Sequence, residues 1–165
     1  MKKPKVVTIV GRSDSGKTTL VEKLIAAYRA RGLVVSAVKS MQHDFSIDQP
    51  GKDSSRYKEA GADSLIITNG KTYALVSGNR DHADPLKLAL RHFSGSDIII
   101  IEGYKEGRTP KVEVVGDSNE PPLYRSGIEN IRMIVSDRKQ MSGMPVFRRN
   151  DVEGIMNGIE RHIFD

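Results

Sequence analysis

The segment Gly11-Arg12-Ser13-Asp14-Ser15-Gly16-Lys17-Thr18 constrains this chain more than any other. It matches the pattern G-x-x-x-x-G-K-[ST]. Before it lies Lys5 to Val10 (KVVTIV), a β-branched run that predicts a buried strand. After it, Leu20, Val21, Leu24, Ile25 and Tyr28 fall at helical spacing, and Gly32 supplies a stop. A strand, a glycine-rich turn and a helix in that order give the turn its chemistry. Backbone N–H groups and a helix N-terminus then face one point, where a polyanion is stabilised. Gly11 and Gly16 permit backbone conformations and a close approach that a Cβ would obstruct. Lys17 would reach the β- and γ-phosphates, and the Thr18 hydroxyl would ligate Mg²⁺. The motif predicts a nucleoside triphosphate and does not choose the base.

The rest of the pattern builds a fold around that turn. Leu33 to Val38 is a second β-branched run, so strand, helix and strand form a βαβ unit with parallel strands. Ser40 to Lys52 is polar and reads as a loop. Asp53 to Ala60 reads as a short helix, capped by Asp53 and stopped by Gly61. Leu65–Thr68 and Thr72–Ser77 flank Asn69-Gly70, a hairpin signal. Asp84-Pro85 opens a helix to Phe93. Asp97 to Glu102 (DIIIIE), Lys111 to Val115 and Arg132 to Val135 read as further strands. Gly116 to Asn130, with Pro121-Pro122, reads as a mobile loop. Asn150 opens the last helix with Glu153 at capping-box spacing, and Val152, Ile155, Ile159 and Ile163 form its apolar stripe. The expectation is an α/β fold, P-loop NTPase-like: a mixed, mostly parallel sheet flanked by helices, with a β-hairpin extension. No linker or repeat interrupts it, so residues 1–165 read as one domain.

Composition narrows the function classes. The 165 residues include no cysteine, which excludes a disulfide framework, a thiolate metal site and a cysteine nucleophile. No apolar run approaches the roughly 20 residues that span a bilayer, so no membrane association and a cytoplasmic location are expected. The 26 Lys and Arg exceed the 21 Asp and Glu, for a net charge of +5. They do not form one basic block, and aromatic residues are 5% of the chain, which argues against a base-stacking platform. The surplus reads as a modest field for small polyanions rather than for nucleic acid.

In an open α/β sheet, ligands sit beyond the carboxyl ends of the strands. That rule selects the glycine-rich turn, Lys39 to Phe45, Glu102 to Lys105 and Ser136-Asp137. Glu102, an acid ending an apolar strand, is the candidate holder of Mg²⁺ or its water. Gly103 would either admit a γ-phosphate or simply turn the chain. Asp44 would hold a Mg²⁺-bound water or orient an attacking one, and His43 would meet phosphate or substrate; a solvent-exposed loop pair is the other reading of both. Asp137 would accept from the N1–H and N2–H₂ donors of guanine, which adenine lacks. Asp53 is as much a helix cap as a ligand. His82, His92 and His162 stand alone. Lys17, Asp44 and Glu102 are the candidate catalytic residues if the triphosphate turns over.

Several segments together resemble the molybdopterin-guanine dinucleotide biosynthesis protein B family. They are VGRSDSGKTTL (Val10–Leu20), KSMQHDF (Lys39–Phe45), DSSRYKEAGAD (Asp53–Asp63), IIEGYK (Ile100–Lys105), PKVEVV (Pro110–Val115) and IVSD (Ile134–Asp137). Ser40 and Gln42 stand where that family commonly carries imidazoles, so a histidine ligand role carries over only at His43. The resemblance implies a GTP-binding adaptor with weak, Mg²⁺-dependent GTPase activity. It would act as a homodimer assisting the guanylyl transferase that completes the molybdenum cofactor, with molybdopterin as a candidate ligand. Gly11, Ser13, Asp14, Ser15, Gly16, Lys17, Thr18 and Thr19 would carry the phosphates, Thr18 and Glu102 would serve Mg²⁺, and Asp137 would lie near the base. Arg56, Lys105 and Lys111 would contact pterin or partner, and the hairpin and Pro110–Val115 would supply dimer contacts. Two other readings stay open. One is a P-loop small-molecule kinase using Arg108, Arg148 and Arg149 as lid arginines. The other is an interaction module with a vestigial loop.

Overall fold

A computed structural model describes residues 3–41, 43, 53–78, 84–138 and 143–164. Their elements run β1 (Lys5–Gly11), α1 (Lys17–Ala30), β2 (Val35–Lys39), α2 (Asp53–Glu59), β3 (Ser64–Thr68) and β4 (Tyr73–Ser77). There follow α3 (Pro85–His92), β5 (Ile98–Glu102), β6 (Lys111–Val114), β7 (Ile131–Val135), β8 (Val146–Phe147) and α4 (Val152–Ile159). The described parts of Met1–Met41 and Asp84–Asp165 form one compact unit, and those of Gln42–Ala83 a second.

The first unit is built on a six-stranded sheet in the order β2-β5-β1-β6-β7-β8. Each neighbouring pair is parallel. The expected α/β architecture is present. β1 and β2 run parallel as the βαβ reading requires, but β5 lies between them. Alternation in β5 explains the insertion. Ile98 and Ile100 pack with Leu20, Leu24 and Tyr28 of α1 and with Ile155 and Ile159 of α4. Ile99 and Ile101 pack on the other face with Ala89 and the partly buried Leu86, Leu90 and Phe93, at and beside α3. A strand apolar on both faces is stable only with a layer on each side, hence at the sheet's interior.

β6 is also interior, and this overturns two expectations. Lys111, Val112, Glu113 and Val114 are all buried between β1 and β7, so Pro110–Val115 offers no edge or face for dimer contacts. Lys111 does not reach for an anion. Its ammonium is fully buried and donates to the carbonyls of Gly107, Thr109 and Glu129. Glu113 accepts from the backbone N–H groups of Leu123 and Tyr124. That carboxylate anchors a 3₁₀ turn, Leu123–Arg125, whose Leu123 is buried. The segment expected as a mobile loop is thus tied to the sheet.

The last helix starts one residue later than expected. Asp151, not Asn150, is the cap, and its Oδ1 accepts from Gly154 N at 2.9 Å. Asn150 instead accepts from Lys23 Nζ. α4 runs on into a π-helical turn, Glu160–Phe164. β8 was not legible as a strand because only two residues pair. α3 begins as expected, with Asp84 accepting from Lys87 N at 2.9 Å.

The second unit holds α2 and an antiparallel β3–β4 hairpin. Its loop has four residues rather than the two of a tight Asn-Gly turn. Asn69 Oδ1 accepts from the backbone N–H groups of Lys71 and Thr72, and Asn69 N donates to Thr72 O. Ile66, Ile67, Tyr73 and Leu75 of the hairpin are exposed.

Burial is the main influence on Glu113 and raises its pKa above the ordinary 4.5, while its two N–H donors and then Arg12 pull it back. The folded state therefore holds this proton more tightly than the unfolded one. The associated stability is complete below the unfolded value and is lost as pH rises through the folded value. In urea melts, the wild type should lose stability relative to Glu113→Gln as pH rises from about 4 to about 7. Glu113→Ala should cost about 1–3 kcal/mol by orphaning the two N–H groups.

Candidate functional site

β1 delivers the chain to Gly11, opposite Val114 of β6. A Cβ on Gly11 would lie 2.5 Å from Ser15 Oγ and 2.5 Å from Val114 O, so the turn closes on itself only with glycine there. Asp14 (φ 54°) and Gly16 (φ 92°) take left-handed conformations that curl the loop over the start of α1. α1 has 14 residues, no side-chain cap and no acidic residue in its first turn. Its first N–H groups thus keep their positive end for an external acceptor. Ser15 Oγ is buried and has no hydrogen-bond partner. Lys17 folds back over the loop, its Nζ donating to Arg12 O at 2.6 Å. Burial lowers the Lys17 pKa; Glu102 and Asp14 oppose this, while Lys105 and Lys39 reinforce it. The loop is set to receive negative charge.

Glu102 reaches the same place by strand parity. It pairs with Ile9 of β1 and Lys39 of β2. It shares the face of Ile98 and Ile100, the face that α1 covers. Thr18 stands in the first turn of α1. Its hydroxyl donates to Glu102 Oε1 at 3.0 Å, and Lys39 Nζ lies 3.8 Å from the same oxygen. A hydroxyl and a carboxylate oxygen side by side fit Mg²⁺, which takes one or two protein oxygens and completes its shell with phosphates and water. Among the described residues no group of three or more His, Cys, Asp or Glu could hold a metal, so such an ion would need the phosphates.

A cleft of about 340 Å³ opens beyond the ends of β7 and β8, lined by Ser136, Asp137, Arg138, Val146, Phe147 and Arg148. Asp137 Oδ1 accepts from Arg149 N at 3.2 Å, and Arg149 Nε lies 3.8 Å from Oδ2. The Asp137 side chain stays 53% exposed. Arg149 Nη2 donates to Val115 O at 2.8 Å. Arg12, inside the phosphate loop, points to the 117–127 segment. It pairs with Glu120 at 2.9 Å, donates from Nε to Pro121 O, and reaches Ser126 Oγ. Arg138 donates to Ser118 O from the other side.

The structure thus brings together Gly11 to Thr19 with Glu102, and sets Asp137 in a separate cleft. Gly103 (φ 91°) is a turn residue, because a Cβ there would fall onto the Ser40 carbonyl oxygen. His92, His162 and His43 are exposed. Asp44, His82 and the Asp53 side chain lie outside the described residues. Sequence reasoning missed the placements of Arg12, Arg138 and Arg149. The Arg148-Arg149 pair was visible as charge, but β8, which aims it, was too short to recognise.

The chain is similar in sequence and fold to known proteins. The family model for molybdopterin guanine dinucleotide synthesis protein B matches residues 6–137. A molybdopterin-guanine dinucleotide biosynthesis adapter protein of Escherichia coli (strain K12) is 33% identical over 147 residues, covering 87% of this chain and 84% of the relative. The adapter protein of the same name from Haemophilus influenzae is 36% identical over 121 residues, 70% of this chain. The match spans 65% of that relative's length. A crystal structure of molybdopterin-guanine biosynthesis protein B superposes with a TM-score of 0.76 at 28% identity, covering 94% of this chain and 98% of the other.

Gly11→Ala should disrupt the turn locally, because the Val114 carbonyl oxygen that the new methyl group would meet is backbone held in the sheet. A loss of about 1–3 kcal/mol in thermal or chemical melts is expected.

Proposed function

The chain belongs to the molybdopterin guanine dinucleotide synthesis protein B family, and from that premise we propose that it is a GTP-binding adapter in molybdopterin-guanine dinucleotide biosynthesis. It would assist the guanylyl transferase that completes the molybdenum cofactor, as a cytoplasmic homodimer, with molybdopterin as a candidate ligand. The adapter role follows the names of the relatives. The observation that carries nucleotide binding is the uncapped start of α1 beside the Thr18–Glu102 contact. The loop N–H groups of Gly11 to Thr19 would surround the β-phosphate. Lys17 would swing from Arg12 O to the β- and γ-phosphate oxygens. Thr18 and Glu102 would hold Mg²⁺, which when bound neutralises phosphate charge. The exposed oxygens of Asp137 would accept from the Watson–Crick edge of guanine in the cleft. The exposed apolar residues of the hairpin support a second copy as its partner.

Hydrolysis would be slow. Arg12 is engaged with Glu120, Pro121 and Ser126. Stabilising the transition-state charge takes a free, positioned cation. The kinase alternative has no support: Arg149 is tied to Val115 and Asp137, Arg148 lines the cleft, and Arg108 is exposed. A vestigial loop does not account for the Thr18–Glu102 pairing.

Calorimetric titration with GTP, ATP and GDP tests the reading. Lys17→Ala should weaken GTP binding by about a hundredfold, the value of a charge-assisted contact or two. Asp137→Asn should trade GTP for xanthosine triphosphate, because an amide N–H can meet the xanthine C2 carbonyl. Tighter binding of ATP than GTP by the wild type would overturn the guanine assignment. Capture of the guanylyl transferase should depend on nucleotide and be lost in Lys17→Ala and Glu102→Gln. Capture that ignores both changes would overturn the nucleotide-dependent adapter role.

A further inference from the structure

Arg149 touches both halves of the candidate site. Its guanidinium sits at the phosphate loop. Nη2 donates to Val115 O at 2.8 Å, one residue beyond the Val114 that faces Gly11. A Cβ built on Gly16 would lie 3.5 Å from Nη1, and one on Gly116 would lie 3.6 Å from Nη2. Its main chain sits at the cleft, where the N–H donates to Asp137 Oδ1 at 3.2 Å. Nε is buried without a hydrogen bond, 3.8 Å from Asp137 Oδ2. One residue therefore holds the carboxylate with its backbone and is itself tied by its side chain to Val115, beside the loop.

We propose that Arg149 is a positioning residue that fixes the base-reading carboxylate of Asp137 at a set distance from the phosphate cradle, and so determines guanine specificity. The proposal rests on the guanine reading given above. A carboxylate offers about four lone-pair sites. The Arg149 N–H occupies one on Oδ1, and the 3.8 Å separation at Oδ2 is too long for a hydrogen bond. The side chain lines the cleft and stays half exposed, so its remaining sites can meet two parallel donors. Asp137 follows β7 on an exposed segment, and discrimination by paired donors requires it to be held to a fraction of an ångström. Arg149 supplies the hold. The hydrogen bond of its guanidinium goes to neutral backbone, the Val115 carbonyl beside the loop, so it would act on the base through Asp137 rather than on phosphate.

The test compares GTP, inosine triphosphate and inorganic tripolyphosphate by calorimetry. Inosine lacks the 2-amino donor, and tripolyphosphate lacks the base. The wild type should prefer GTP to inosine triphosphate by about tenfold, one charge-assisted hydrogen bond. Arg149→Ala should bring that ratio within about twofold of unity, as Asp137→Ala should too, and change tripolyphosphate affinity less than about threefold. Arg149→Lys keeps the charge but loses the fork, and should give an intermediate ratio. If Arg149→Ala fails to fold, as judged by its melt, Arg149→Lys decides: a wild-type ratio overturns the proposal. A wild-type ratio in a folded Arg149→Ala overturns it too. So does a tripolyphosphate affinity that falls in step with GTP, which would make Arg149 a phosphate contact. A wild type that does not prefer GTP overturns both this proposal and the guanine reading beneath it.

Discussion

The pairing of Ile9 with Glu102 sets the site. Both residues lie on the face of the sheet that α1 covers, and α1 begins only six residues after β1 ends. The helix N-terminus and the acid therefore meet because two parallel strands share a register. A slip of one residue in β5 would turn Glu102 towards the α3 face and bring Ile101 beneath Thr18. The four isoleucines Ile98 to Ile101 prevent that slip. Every one is buried against a layer, and a shift would exchange the packing of both faces at once. The core of β5 thereby guarantees a polar contact of 3.0 Å at its end.

The opposite face of β6 follows a different logic. Among the described residues, loops and a short 3₁₀ turn, rather than an α-helix, meet Lys111 and Glu113. Loops carry backbone groups that secondary structure leaves unpaired, and buried charge is a strong partner for them. Lys111 collects three carbonyls, and Glu113 collects two N–H groups. Glu113 thereby anchors the 117–127 segment through its short 3₁₀ turn, Leu123–Arg125, while Lys111 gathers the carbonyls on either side of β6. Arg12 and Arg138 extend the same arrangement outward to Pro121, Ser126 and Ser118. The phosphate loop and the cleft are thus bordered by one anchored segment.

These two faces explain what could be read in advance. β1, α1, α3 and β5 declare themselves because local pattern and tertiary packing agree: β-branched runs, helical spacing, an Asp-Pro start. The Thr18–Glu102 pairing was legible because Thr18 opens a recognisable helix and Glu102 ends a recognisable strand. Lys111 was misread because an exposed lysine and a buried one look alike in sequence, and only the loop carbonyls distinguish them. Glu113 hid for the same reason, and its segment passed for a mobile loop. Arg149 was out of reach because its role depends on β8, two residues long, and on a carboxylate twelve positions earlier.

The electrostatics of the loop bind these observations together. Lys17 is partly buried, and Lys39 and Lys105 both disfavour its charge. Glu102 and Asp14 offset this, yet Glu102 must also serve Thr18 and Lys39. The helix N-terminus adds further positive potential with no acidic side chain in the first turn to meet it. Each of these features is unfavourable in isolation and becomes favourable when several negative charges arrive together. A single phosphate would satisfy only part of the array. A polyphosphate chain can meet Lys17, the loop N–H groups and the Thr18–Glu102 pair at the same time. The modest surplus of +5 is therefore less informative than its placement. The charges that matter face one point, at the carboxyl ends of the parallel strands.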